Sequence, residues 1–229
     1  MSLPVNIIIV AGGSGVRMGG DIPKQFLEIG GKPILRHTIE LFLNLPFEVK
    51  MVLVMNEKLI DYWKQYCREN EFFFPHILVE GGITRYHSVK KGLKYVKNGE
   101  IVAVHDAVRP FIPNGLLNNL FMKAETVDAL VPVLKMVDSV RMIDENMTTM
   151  VDRDKCFIVQ TPQIFKSDIL LKSYKSPYST AFTDDASVVE AAGFKLSFSE
   201  GFRYNIKITT PDDLKFAEVV IKSNLLEEK

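Results

Sequence analysis

Short apolar runs alternate along the chain with segments whose apolar residues recur every three or four positions. Residues 7–10 are all β-branched and apolar, which is typical of a parallel strand buried on both faces. Leu35, Ile39 and Phe42 lie at helical spacing. The pattern predicts strands at 6–10, 49–55, 77–80, 101–105 and 129–134, and helices around 35–43, 57–69, 89–96 and 116–126.

Strands that alternate with helices of this length predict an α/β fold, a Rossmann-like three-layer sandwich with a mostly parallel central sheet. Ligands of such sheets bind beyond the carboxyl ends of the strands. The segments that begin at Ala11, Gly81 and Asp106 are therefore the first candidates for a site.

The alternation breaks between about residues 138 and 151. Residues 139–143 alternate, residues 144–146 have turn chemistry, and residues 148–151 can return as a partner strand. A lone two-stranded hairpin is only marginally stable in water. We therefore expect a protruding β-hairpin arm at about 136–156 that packs against a second subunit in a homodimer. The alternative is a hairpin folded back on its own domain; either way 1–229 is one domain.

The helix and strand pattern resumes after the arm. It predicts a helix at 184–192, a strand at 195–199 and an edge strand at 205–209. A last helix begins with Thr210 as N-cap and Pro211 as first residue, the positions that these residue types favour.

Composition narrows the class of protein. The 229 residues carry 28 Lys and Arg against 28 Asp and Glu, and a net charge of zero argues against a large nucleic-acid footprint. Two cysteines, Cys67 and Cys156, are too few for a disulfide framework and suit a reducing compartment. No run reaches the ~20 apolar residues of a membrane span. We expect a soluble, cytoplasmic protein without a nucleic-acid or membrane partner.

A glycine-rich segment, residues 11–20, follows the first strand. Its backbone can bring N–H groups close to an anion, and Arg17 and Lys24 add two cations. It is not a P-loop, because the Lys-Ser/Thr pair is missing, nor a dinucleotide fingerprint, because Met18 replaces the third glycine. Pro23 fixes the backbone before Lys24, which favours a polyphosphate site over an ordinary surface loop.

Five stretches form an ordered set between residues 5 and 220. They are Ala11-Gly12-Gly13-x-Gly15-x-Arg17-Met18-Gly19 with Pro23-Lys24-Gln25-Phe26, Glu80-Gly81-Gly82-x-x-Arg85-x-x-Ser88-Val89, His105-Asp106-Ala107-Val108-Arg109-Pro110-Phe111, Gln160-Thr161-Pro162-Gln163-x-Phe165, and Asn205-Ile206-Lys207-Ile208-Thr209. The first alone is common to sugar-phosphate nucleotidylyltransferases. Together the five resemble the 2-C-methyl-D-erythritol 4-phosphate cytidylyltransferases of the non-mevalonate isoprenoid pathway.

The resemblance implies transfer of a cytidylyl group from CTP to methylerythritol phosphate, which gives CDP-methylerythritol and pyrophosphate. The attacking phosphate oxygen is already ionised at pH 7, because the second pKa of a phosphate monoester is about 6. Such a reaction needs no general base. It needs cations and amides that offset repulsion between anions and hold the reactants in line.

The resemblance also implies roles for individual residues. Catalysis falls to Arg17, Lys24 and Lys207. Asp106 is a carboxylate at a strand end beside a polyphosphate, which by its chemistry suits Mg²⁺, or another divalent cation, or the ribose. CTP is expected at Ala11, Gly12, Gly13, Gly82, Arg85, Ser88, Asp106 and Ala107. The polyol phosphate acceptor is expected at Asp106, Arg109, Ser139, Arg153, Thr161, Thr183 and Lys207, with Ser139 and Arg153 supplied by the arm of the other subunit.

Three positions depart from the family pattern: Val16 where a second Arg is common, Ser139 where Thr is usual, and Tyr204 where an acidic residue is frequent. From the residues alone, Arg109 suits a structural ion pair with Asp106 equally well. Lys207 could likewise be a solvated lysine of an edge strand.

Two other functions compete. A cytidylyltransferase for ribitol 5-phosphate shares the first loop and much of the rest, although residues 151–153 and 183–187 favour the erythritol enzyme by resemblance. A catalytically silent nucleotide-binding module is the second alternative.

Overall fold

The computed structural model describes residues 1–13, 22–145, 147–223 and 225–226. Its strands in chain order are β1 (Val5–Ala11), β2 (Glu28–Ile29), β3 (Lys32–Pro33), β4 (Val49–Met55), β5 (His76–Glu80), β6 (Ile101–Asp106), β7 (Ala129–Lys135), β8 (Val140–Asp144), β9 (Met147–Val151), β10 (Phe157–Val159), β11 (Gln163–Lys166) and β12 (Ser197–Glu200). Its helices are α1 (Ile34–Leu43), α2 (Glu57–Glu69), α3 (Arg85–Gly92), α4 (Asn114–Ala124), α5 (Ser167–Ser173), α6 (Asp185–Ala191) and α7 (Pro211–Lys222). None of the helices in these residues has both the length and the apolar character that crossing a bilayer requires.

Eight strands form one sheet in the order β10-β7-β11-β6-β1-β4-β5, with β12 also paired to β7. Strands β6, β1, β4 and β5 are parallel neighbours, as the alternating pattern predicted. Strands β10 and β11, which the sequence analysis did not predict, run antiparallel to their neighbours. The prediction of a mostly parallel central sheet is therefore confirmed.

The core lies on both faces of the sheet, because successive residues of a strand point to opposite sides. On β1, Ile7 and Ile9 pack in a cluster with residues of α1, α2 and α4, whereas Ile8 packs with residues of α3, α5 and α6. All three isoleucines are fully buried, and each contributes about 1.5–3 kcal/mol of burial free energy. Three layers follow from this alternation.

The segment at residues 205–209 corrects one prediction, because it is not a strand. The Ile208 N–H donates to the Val108 carbonyl (2.9 Å), and the buried Asn205 amide donates to the Thr161 carbonyl (2.9 Å). These isolated bonds hold an irregular loop instead of a sheet edge. The strand expected at 195–199 is β12, and α7 begins at the predicted cap.

Strands β8 and β9 form the predicted antiparallel hairpin. Its large apolar side chains, Met142, Ile143, Met147 and Met150, are 62–76% exposed. Their exposure favours a protruding arm over a hairpin folded back on its own domain. That this arm packs on a second subunit stays a prediction.

Candidate active site

Loops at the carboxyl ends of β1, β5 and β6 surround a cavity of about 620 Å³. It is named the larger cavity below, because a smaller one adjoins it. This is the edge of the sheet where the fold class predicted a ligand. The cavity is lined by all eight residues predicted to bind CTP and by two of the three predicted catalytic residues: Ala11, Gly12, Gly13, Gly82, Arg85, Ser88, Asp106, Ala107, Lys24 and Lys207. The third, Arg17, lies outside the described residues.

Lys24 is placed by a short 3₁₀ turn, Lys24–Phe26. The buried Gln25 amide donates to the Ala11 carbonyl (2.9 Å) and ties this turn to the end of β1. Lys24 therefore lies against the glycine loop, where a Cβ added to Gly13 would be 3.7 Å from Lys24 Cε. An ammonium group and main-chain amides are thus brought to one wall of the larger cavity.

Gly82 occupies a position where no side chain fits, because a Cβ there would lie 2.4 Å from the Cβ of His87. Its N–H donates to Ser88 Oγ (3.0 Å), and the Ser88 hydroxyl donates to the Thr84 carbonyl (3.0 Å). The Ser88 hydroxyl was expected to be offered to the nucleotide. In this structure it shapes the turn that forms the cavity wall.

Asp106, at the end of β6, is the centre of an ion cluster. Its Oδ2 lies 2.8 Å from Lys207 Nζ and 3.6 Å from Arg109 Nε, and its Oδ1 lies 3.3 Å from Arg85 Nε. Burial alone would raise the pKa of Asp106, but Arg85, Lys207 and Arg109 outweigh burial and hold this pKa well below its usual range. Arg85 also pairs with the buried Asp185, so three cations face two carboxylates, and the remaining positive charge suits anionic ligands.

A smaller cavity of about 220 Å³ adjoins the larger one and shares Arg85, Asp106 and Lys207 with it. Its lining includes three further residues that were predicted to bind the acceptor: Arg109, Thr161 and Thr183. Of the predicted residues that line a cavity, those for the nucleotide therefore lie in the larger one and those for the acceptor in the smaller one, and the two cavities have a common wall.

A buried network holds the peptide that carries Asp106. Thr161 Oγ1 accepts from the Asp106 N–H (3.1 Å) and lies 3.0 Å from Nδ1 of His105, whose Nε2 lies 3.0 Å from the Arg109 carbonyl. A carbonyl only accepts, so Nε2 carries the proton and Thr161 donates to Nδ1. Burial lowers the pKa of His105 to about 4, so the ring is neutral at pH 7. The Thr161 hydroxyl, expected to meet the acceptor, is used within this network.

Lys207 lies on an irregular segment that is fixed at both ends. The Arg109 guanidinium donates to the Asn205 carbonyl (2.7 Å), and Asp213 accepts from the N–H and the hydroxyl of Thr209 (2.8 and 3.0 Å). The Lys207 side chain is 40% exposed and lines both cavities. It is therefore not a lysine that faces only solvent.

Ser139 and Arg153 lie at the base of the arm, and neither lines either cavity of this chain. Both are exposed, and the Arg153 guanidinium donates to the Val137 carbonyl (2.9 Å). Their predicted role at the acceptor site requires the arm of another copy.

The residues around Asp106 do not fit a resident metal ion. Mg²⁺ prefers near-octahedral oxygen ligands, whereas both Asp106 oxygens face cations. Among the residues that the structure describes, no group of three or more His, Cys, Asp or Glu side chains could hold a metal. The expectation that Asp106 is a metal ligand is therefore not supported by this geometry.

Sequence reasoning missed the buried residues that hold the predicted ones in place. Gln25, His105, Asn205 and Asp185 are all at most 2% exposed. His105 carried a signal, since it is a polar residue in an apolar strand. Asp185 carried a weaker one, as the second acid of a pair at the start of a helix.

Comparison with known proteins decides the family. The model of the family "IspD: 2-C-methyl-D-erythritol 4-phosphate cytidylyltransferase" matches residues 5–223. The chain belongs to this family. The resemblance carried by the five stretches is thereby confirmed, and with it the class of enzyme, a nucleotidyltransferase that uses CTP in isoprenoid precursor synthesis. The family match favours the erythritol enzyme over the ribitol alternative.

Individual relatives support the same assignment. The 2-C-methyl-D-erythritol 4-phosphate cytidylyltransferase of Phocaeicola vulgatus is 47% identical over 216 residues, which are 94% of this chain and 99% of the relative. The crystal structure of 4-diphosphocytidyl-2C-methyl-D-erythritol synthase from Anaerococcus prevotii has a TM-score of 0.82 at 28% identity, over 96% of both chains. The cytidylyltransferase structure from Francisella tularensis has a TM-score of 0.78 at 29% identity, over 94% of this chain and 99% of the other.

Proposed function

We propose that this chain transfers the cytidylyl group of CTP to 2-C-methyl-D-erythritol 4-phosphate, with CTP in the larger cavity and the acceptor in the smaller one. The observation that carries the proposal is the common wall of the two cavities, formed by Arg85, Asp106 and Lys207. Two substrates that react in line must meet at such a boundary.

The glycine loop and Lys24 would bind the triphosphate, and the turn at Gly82 would receive the base and ribose. An oxygen of the acceptor phosphate attacks the α-phosphorus of CTP, the bond from that phosphorus to the β-bridging oxygen breaks, and pyrophosphate leaves. Lys24 and Arg17 would offset the charge that grows on the α-phosphate and the leaving group. Lys207 would draw the acceptor phosphate to the shared wall, and Arg109 would bind the acceptor from the far side.

The imidazole of His105, next to Asp106 in the chain, is not available to remove a proton from a substrate. Both nitrogens of His105 are within hydrogen-bond distance of Thr161 and Arg109, and the ring is fully buried. This supports a reaction in which the nucleophile arrives ionised and positive groups do the catalytic work.

We propose that Mg²⁺ would arrive with the triphosphate of CTP, since the described residues around Asp106 offer no ligand set of their own for it. The ion would neutralise phosphate charge there. Asp106 would then orient Lys207, Arg85 and Arg109 towards the substrates.

We further propose a homodimer in which the arm of one subunit brings Arg153 and Ser139 to the acceptor cavity of the other. The exposed apolar residues of the arm support this, since such surfaces mark interaction sites. Sedimentation velocity should show a dimer that Met142→Asp with Met147→Asp dissociates. A monomeric wild type would contradict it.

A cytoplasmic location stays a prediction.

One assay tests the reaction. Pyrophosphate release is measured with CTP, UTP, ATP and GTP, each with methylerythritol phosphate and with ribitol 5-phosphate. We expect CTP with methylerythritol phosphate to be fastest. A preference for ribitol 5-phosphate would overturn the acceptor, and CTP binding by calorimetry without pyrophosphate release with either acceptor would favour the silent module.

A further inference from the structure

Arg85 links the wall between the two cavities to a carboxylate in the interior. It is the first residue of α3 and lines both cavities. Its Nε lies 3.3 Å from Asp106 Oδ1, and its Nη2 donates to Asp185 Oδ2 at 2.7 Å. Burial by itself would lower the pKa of Arg85, yet Asp185 and Asp106 together raise it above its usual value.

Asp185 is a charged side chain with no exposed surface. It is 0% exposed at the start of α6 and lines neither cavity. Removing a carboxylate from water is unfavourable unless the group is paired and hydrogen-bonded. One of its oxygens meets Arg85, and the other accepts from the Tyr174 hydroxyl at 2.6 Å. Any effect of Asp185 on substrates must therefore pass through a neighbour.

Tyr174 completes this arrangement from the end of α5. It is buried, and its ring stacks on Tyr86 with centroids 4.7 Å apart and planes 17° apart. Burial, followed by the charge of Asp185, raises the pKa of Tyr174 well above its usual value, so the hydroxyl stays a donor at any ordinary assay pH. The Tyr174 ring fixes the position of the hydroxyl, and the hydroxyl fixes Asp185.

Two buried polar groups, the Asp185 carboxylate and the Tyr174 hydroxyl, therefore fix the orientation of the Arg85 guanidinium. A free arginine side chain loses rotamer entropy when a substrate orders it. Asp185 and Tyr174 impose this order before the substrates arrive. The two contacts use Nε and Nη2, which leaves Nη1 as the donor that neither carboxylate takes.

We propose that Asp185 and Tyr174 are positioning residues for cytidylyl transfer: they fix the Arg85 guanidinium on the wall shared by the two cavities, where it serves the phosphates of both substrates. Neither touches a substrate. The proposal rests on the function proposed above and adds to it a role for the Asp184-Asp185 pair, which the sequence analysis weighed only as a family resemblance.

A double-mutant cycle tests the route through Arg85. Steady-state kcat/KM is measured for the wild type, Asp185→Asn, Arg85→Gln and the double variant. We expect Asp185→Asn to lower kcat/KM by about 10- to 100-fold in the wild-type background, the usual range when a buried partner is removed. In the Arg85→Gln background the same change should cost less than about threefold. The KM values for CTP and for the acceptor should rise together, because Arg85 lines both cavities.

A matched pair of tyrosine variants separates positioning from stability. Tyr174→Phe removes the bond to Asp185 and should lower kcat/KM by about 3- to 10-fold. Tyr86→Phe removes the neighbouring buried hydroxyl, which donates to the carbonyls of Tyr174 and Ser176, and should leave kcat/KM within about twofold at a similar loss of Tm.

The outcomes distinguish the two proposals. Equal losses for Asp185→Asn in both backgrounds would mean that Asp185 does not act through Arg85 and would overturn the inference. Equal effects of Tyr174→Phe and Tyr86→Phe would overturn it as well, even when Asp185→Asn fails to fold. A wild type that releases no pyrophosphate contradicts the proposed function instead.

Discussion

Charged side chains are usually exposed and apolar ones buried, but two regions of this molecule show the opposite. We call them the rim cluster (Arg85, Asp106, Arg109 and Lys207) and the arm (residues 136–156). In the rim cluster a nearly buried carboxylate is paired with three cations within 3.6 Å. In the arm, five large apolar side chains are mostly exposed. The rim cluster is complete within one chain, whereas the arm presents a surface that one chain leaves uncovered.

The difference teaches which part of the site is organised before any encounter. The cations of the rim cluster are held by Asp106 and by buried bonds, so their order is set during folding. Ser139 and Arg153 lie where only a second chain can bring them to a substrate. The comparison predicts that rim variants damage the site of their own chain and that arm variants damage the site of a neighbour.

The largest effect should come from Lys207→Ala. Lys207 lines both cavities, and its loss removes the cation expected to offset repulsion between the reacting phosphates. We expect kcat/KM for pyrophosphate release to fall by about two to four powers of ten. Lys215→Ala removes an exposed lysine paired with Asp212 and should change kcat/KM less than about twofold. Near-normal turnover of Lys207→Ala would show that the rim cluster does not supply this charge.

Arg153→Ala should have the next largest effect, a fall in kcat/KM of about 10- to 100-fold through loss of a charge-assisted contact to the acceptor phosphate. Lys155→Ala, which removes an exposed neighbouring lysine, is the matched control and should stay near wild type.

Mixing variants separates the two regions. Lys24→Ala and Arg153→Ala are combined as equal amounts of subunits after reversible dissociation. In a heterodimer one site carries both changes and the other carries none, so random exchange should restore about a quarter of wild-type activity. If mixing restores no activity, the arm does not complete the site of the neighbouring chain, and the predicted difference between rim variants and arm variants is wrong.

The sequence predicted the strands and helices that are determined by the pattern of their own residues. Strand β1 was recognisable because both of its faces are buried, and α2 was predicted over 57–69, the residues it occupies. Residues 205–209 look like a strand because Ile206 and Ile208 alternate with polar residues. Whether such a segment pairs depends on neighbours more than 40 positions away, such as Asn205 with Thr161. Strands β10 and β11 were missed for the same reason.

The candidate site shows the same division. Residues with a chemical signature, such as Lys24, Asp106 and Lys207, were predicted from their motifs, and they line the larger cavity. The residues that hold them were not, because their partners are distant in the chain: Arg85 and Asp185 are 100 positions apart. The sequence also does not show that the hydroxyls of Ser88 and Thr161 form hydrogen bonds within the protein, because these bonds depend on how two turns pack.

The smallest predicted effect concerns the order of the rim cluster itself. His105 lies behind Asp106 and Arg109, and its pKa is lowered by burial from 6.5 to about 4. Between these values the unfolded chain binds a proton that the folded chain does not, so the free energy of unfolding must fall as pH falls from about 6.5 towards 4. We expect this group alone to cost about 2 kcal/mol between pH 7 and pH 5.

Urea unfolding of the wild type and of His105→Gln at the two pH values measures this contribution. The variant keeps a donor near the Arg109 carbonyl but cannot titrate, so it should lose less stability than the wild type on acidification. His37, whose pKa is also lowered by burial, contributes equally to both proteins and cancels in the difference. An equal loss in the two proteins would mean that the imidazole does not stay neutral in the fold. In that case the hydrogen-bond network of His105 with Thr161 and Arg109 would differ from the one described, and it would not be the support that orders the rim cluster.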